Sequence, residues 1–123
     1  MSMKATAIVG ASPKKDRYAH MAQENLLERG YEVIPINPGY SDIDGISTKT
    51  LGELNNVDTV TLYVSARYQQ GLEKELLRLR PRRVIFNPGT ENPELKAKLE
   101  QEGLVCLNAC TLVLLRTGQY EKL

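Results

Sequence analysis

Five short apolar runs punctuate the chain: Ala5–Val9, Val33–Ile36, Val60–Val64, Val84–Phe86 and Leu104–Leu107. They are rich in β-branched residues and nearly continuous, the pattern of strands covered on both faces. Helical spacing fills the gaps between them. Ala19, Ala22 and Leu26 share one face, and Arg29-Gly30 ends that segment. Leu72, Leu76 and Leu79 repeat the spacing before Pro81 stops it. Leu95 and Leu99 do so again, opened by Asn92 as cap and Pro93 at the first helical position, and closed by Gly103. Gly39–Glu53 is polar and turn-rich, with Asp44-Gly45 in its middle, and predicts a long connection with one short helix.

Strand and helix in alternation predict an α/β chain, a three-layer Rossmann-like domain over residues 1–123 with a parallel sheet of about five strands. Right-handed crossovers make 3-2-1-4-5 the simplest strand order, counting along the chain. Ligands of such sheets bind at the carboxyl ends of the strands where the order reverses, here between strands 1 and 4. Strand 1 ends in GASPKK, strand 2 in NPGY and strand 4 in NPGTENP. Asn-Pro-Gly is ordinary turn chemistry. Two copies at two predicted rim positions point to one crevice faced from either side of strand 1.

Length and composition narrow the class. At 123 residues the chain suits one core, and 41% apolar with 25% charged residues is ordinary for a globular protein. A net charge of +1 gives no global attraction to nucleic acid, so an anion site must be local. The opening MSMKATAIVG lacks the pattern of an export signal, and no apolar run approaches the roughly 20 residues that span a bilayer. The expected location is the cytoplasm, with no membrane partner. Cys106 and Cys110 are then reduced thiols, and their spacing alone is too little for a zinc site.

That local anion site is expected in AIVGASPKKDRYA, a strand, a glycine-bearing turn and a helix start. The amides after Gly10 should face the crevice, the helix start adds partial positive charge, and Gly10 leaves room for a ligand beside the backbone. Ser12 can donate a hydrogen bond, and Lys14, Lys15 and Arg17 add charge. A solvated basic turn is the plain alternative. Two of the three glycines of the dinucleotide fingerprint are absent, and strand 2 ends in Asn37 where NAD binders place an acid. Both features weaken an NAD(P) role.

In order and spacing, AIVGAS, GYEVIPINP, SARYQQGLEKEL, NPGTENPEL and GLVCLNACTLVLL resemble the stand-alone CoA-binding domain family, related to the N-terminal domain of the succinyl-CoA ligase alpha subunit. The resemblance covers almost the whole chain. It implies a Rossmann-like fold holding the phosphoadenosine end of CoA, or of an acyl-CoA, against the first glycine turn. By position, Gly10, Ala11, Ser12 and Pro13 would line the pyrophosphate. Asn37, Pro38 and Tyr40 would lie beside the nucleotide. Ser65 and Ala66 would form the strand 3 corner, and Asn87, Gly89, Thr90 and Glu91 the far wall. Tyr40 either stacks on adenine or is a partly buried structural tyrosine.

The resemblance implies binding without chemistry. The related ligases use a phosphorylated histidine in a second domain, whereas the lone histidine here, His20, falls within the first helical pattern. No nucleophile–histidine–acid arrangement is evident. The expected function is therefore a module binding a small-molecule nucleotide. The alternatives are a small NAD(P)-dependent oxidoreductase, or a ligase component working with a separate catalytic chain.

Overall fold

In the computed structural model, which describes residues 4–123, β1 (Ala5–Val9) leads through α1 (Tyr18–Glu28) to β2 (Glu32–Ile36). A small hairpin of β3 (Asp42–Ile43) and β4 (Ile46–Ser47) follows. The chain then alternates through β5 (Thr59–Leu62), α2 (Leu72–Leu79), β6 (Arg83–Phe86), α3 (Pro93–Gln101), β7 (Val105–Asn108) and α4 (Thr111–Arg116). Single 3-10 turns occupy Leu51–Glu53 and Ala66–Tyr68. Residues 1–3, part of the expected domain span, lie outside the described residues.

The five long strands form one parallel sheet, as the apolar runs predicted. Its two faces follow from the two-residue period of a strand. Ala7, Val9, Val60, Leu62, Val84 and Phe86 pack against Leu76 and Leu79 of α2 and Leu95 and Leu99 of α3. Ile8, Val33 and Ile85 point the other way, against Ala19 and Leu26 of α1 and Leu114 and Leu115 of α4. Helices on both faces make the three layers of a Rossmann-like α/β fold. Among the described residues, no helix is long and apolar enough to cross a membrane.

The strand order corrects the expectation. The sheet runs β2-β1-β5-β6-β7, which is 2-1-3-4-5 for the long strands rather than 3-2-1-4-5. β2 is an edge, and Pro35 gives the reason. Its carbonyl faces away from β1 and accepts the Lys49 N–H at 3.0 Å. The N–H that proline lacks would face the same outer side, so no strand can complete a ladder there. Pro35 was therefore a legible edge marker that the order argument did not use.

Two further elements were not expected. Asp44-Gly45 turns a hairpin, with φ of +53° and +83° at those residues, the backbone of a two-residue turn between strands. The hairpin folds back on α1, where buried His20 sets Nε2 2.6 Å from Asp44 Oδ2 and Nδ1 3.3 Å from Glu24 Oε1. The other is α4, a short helix over the sheet after Cys110.

Candidate functional site

Beyond β1 the chain turns into α1 on one face, and beyond β5 it runs to α2 on the other. The two strands are neighbours, so the chain parts between their carboxyl ends. A crevice of about 470 Å³ opens there. This is the switch point of a 2-1-3-4-5 sheet, and the corrected order moves it to between strands 1 and 3. Both Asn-Pro-Gly corners still reach it, one beside β1 and the other beyond β5.

Ten residues singled out in the sequence line this crevice: Gly10, Ala11, Ser12, Lys14, Arg17, Asn37, Tyr40, Ser65, Gly89 and Thr90. Tyr18, Ala19, Tyr63 and Pro88 line it too and were not expected. Tyr18 and Ala19 begin α1, so the helix start itself was the available signal. Pro13, Lys15, Pro38, Ala66, Asn87 and Glu91 are not among the lining residues.

The first turn is built differently from the expectation. The Gly10 and Ala11 N–H groups donate to the Ile36 carbonyl at 3.0 and 3.3 Å, extending the β1–β2 ladder instead of facing a ligand. Gly10 has φ of +91°, and a Cβ there would stand 2.8 Å from Val64 Cγ1 and 3.1 Å from the Tyr63 carbonyl. Glycine is needed here because this turn lies against the end of β5. Asn37 Nδ2 donates to the Ala11 carbonyl at 2.8 Å, and Asn37 Oδ1 accepts the Gly39 N–H at 2.8 Å. Its amide ties the two turns together.

The free donors lie one step further along. α1 has no side-chain cap and no acid in its first turn. Among the described residues, the Ser12, Tyr18 and Ala19 N–H groups have no acceptor. A helix start left open in this way carries partial positive charge. Lys14 and Arg17 stand beside it, and neither forms an ion pair among the described residues. Tyr40 is 38% exposed at the rim, a partly open ring that suits stacking. Tyr63 lies deeper. Burial pushes its hydroxyl ionisation far up, so it stays neutral.

The far wall holds itself up. Asn87, expected there as a wall residue, is 2% exposed and uses its whole side chain internally. Its Nδ2 donates to Thr61 Oγ1 at 2.6 Å and to the Leu62 carbonyl at 2.8 Å, and its Oδ1 accepts the Thr111 N–H at 2.8 Å. Glu91 Oε1 accepts the Gly89 N–H at 2.9 Å, so it caps its own turn. The cap of α3 is Asn92, which takes the Leu95 N–H at 3.1 Å. Gln69, which sequence reasoning passed over, is 3% exposed beneath this wall.

For the remaining chemistry, Cys106 and Cys110 are free thiols, the first buried and the second half-buried. Burial pushes the Cys106 thiol up to about 11, away from the reactive thiolate. Among the described residues, no group of three His, Cys, Asp or Glu is placed to hold a metal ion.

Comparison with known proteins agrees with this architecture. The family model described as CoA binding domain matches residues 4–116. A crystal structure of an uncharacterized protein is 41% identical, with a TM-score of 0.89 over 97% of this chain and 99% of that one. YneT of Bacillus subtilis (strain 168) is 28% identical over 89% of this chain and 84% of its own length. An acetyl-coenzyme A synthetase 1 from Ca. Korarchaeum cryptofilum shares the fold at 21% identity and a TM-score of 0.72, over 86% of this chain and 26% of that one.

Proposed function

Because this chain belongs to the CoA-binding domain family, we propose that it is a nucleotide-binding module holding CoA or an acyl-CoA, non-covalently, at the carboxyl ends of its strands. It performs no catalysis of its own. One observation carries the reading: the uncapped start of α1, with Lys14 and Arg17, opens into the same crevice as the Tyr40 ring. Backbone donors and two cations without ion pairs among the described residues suit phosphates, and a partly exposed aromatic ring suits a base. Lys15, exposed on the same turn though not among the lining residues, adds local positive charge suited to a 3′-phosphate.

The NAD(P) alternative finds less support. The Asn37 amide is already bonded on both sides, and no carboxylate replaces it at the end of β2. His20 is 1% exposed between α1 and the hairpin and is not among the crevice-lining residues.

Calorimetry with CoA, dephospho-CoA, NAD and ATP tests the reading. CoA should bind most tightly, and dephospho-CoA roughly tenfold more weakly, or about 1.4 kcal/mol. Equal affinity for those two would remove the 3′-phosphate argument. Binding of NAD alone would overturn the assignment.

A further inference from the structure

Beneath the far wall, one buried side chain holds two crevice loops at once. Gln69 Nε2 donates to the Val64 carbonyl at 3.0 Å and to the Thr90 carbonyl at 2.7 Å. Its Oε1 accepts from Asn92 Nδ2 at 3.0 Å. Val64 adjoins Ser65, which lines the crevice from the end of β5. Thr90 lines it from the loop after β6. Both N–H groups and the oxygen of a single amide are therefore committed to the joint between these loops. A second hollow, of about 360 Å³, lies between the starts of α2 and α3, with Gln69 and Asn92 in its wall. Gln69 thus lines the second hollow while bonding the two loops that line the crevice.

We propose that Gln69 is a positioning residue that sets the spacing of the far wall and so the affinity of the crevice for its nucleotide. The second half of this statement rests on the CoA reading above; the first half does not. A buried carbonyl left without a donor costs on the order of 1–3 kcal/mol, so losing this amide releases two loops rather than one. Neither carbonyl has a second donor: those of Val64 and Thr90 make no other hydrogen bond among the described residues, and the 3-10 turn at Ala66–Tyr68 is only three residues long.

The test compares the parent with Gln69→Met, which keeps the length and removes all three hydrogen bonds. Hydrogen exchange is followed without ligand in segments 63–70 and 87–92, with β1 and α1 as references. The expected result is that both segments exchange at least tenfold faster while the references do not change. CoA affinity of the folded fraction should also fall at least fivefold, which a general loss of stability would not produce. Unchanged exchange in either segment overturns the positioning role. Loosened loops with parental CoA affinity overturn the link to binding. If the parent itself binds no CoA, the reading of the crevice fails, and the exchange result still decides the role of Gln69. Should Gln69→Met not fold, Gln69→Asn decides the same question, because its shorter amide cannot span both carbonyls.

Discussion

Asn37 Nδ2 donates to the carbonyl of Ala11 at 2.8 Å, so the turn that ends β2 holds the turn that ends β1. Asn37→Asp replaces that donor with an anionic acceptor facing a carbonyl oxygen. Stability should fall by about 1–3 kcal/mol in urea unfolding. NAD affinity should not appear, although the variant restores the acid that NAD binders carry at this position. A variant as stable as the parent would show that the bond contributes nothing.

Gly10→Val should fail as a pure binding variant. Its backbone has φ of +91°, and the first added carbon would meet Val64 Cγ1 at 2.8 Å. Strain at a positive φ and collision with the β5 end should together cost at least about 2 kcal/mol. Gly103→Ala is the contrast: φ is +90°, but the new carbon meets only Arg80 Nη2 at 3.4 Å. It should cost about 1 kcal/mol and leave ligand affinity unchanged. Thermal melts and calorimetry on both variants separate the two glycines.

Asp58 should make the protein acid-sensitive. Burial pushes its carboxyl up, but hydrogen bonds from Arg82 and Thr59 and the Arg82 charge outweigh it and hold it below the ordinary aspartate value of 3.8. Arg82 reaches it with two bonds, of 2.8 and 3.1 Å. A folded value below the unfolded one contributes stability above pH 3.8 that is lost as the pH falls through the folded value. Asp58→Asn should flatten that part of the stability curve, measured by urea unfolding from pH 6 downward. The same slope in both proteins would rule this group out.

The two thiols should differ in reactivity. Cys106 is buried on the α3 face of the sheet with its ionisation raised to about 11, whereas Cys110 is half-buried ahead of α4. A thiol reagent at neutral pH should label Cys110 in the folded protein and reach Cys106 only on unfolding. Peptide mapping after brief labelling decides it, and modification of both at equal rates would contradict the packing.

Much of the fold was readable because it is local. Apolar runs without alternation named the five parallel strands, and Asn92, Pro93 and Gly103 marked both ends of α3 by backbone chemistry confined to a few neighbouring residues. The positions of the two Asn-Pro-Gly corners were also legible, since each directly follows a strand. Tertiary structure decided what depends on distant partners. Pro35 marks β2 as an edge in the sequence, but which strand covers its other side, β1 alone, depends on pairing that a linear apolar pattern does not state. Whether an amide serves a ligand or the protein is likewise a choice among remote acceptors. Ile36 takes the Gly10 and Ala11 donors, Asn87 spends its side chain on Leu62, Thr61 and Thr111, and the open donors pass to the start of α1. Periodicity fixes which face a side chain takes, but a hydrogen bond needs two groups within about 3 Å, and only the folded chain brings residues 69 and 90 that close.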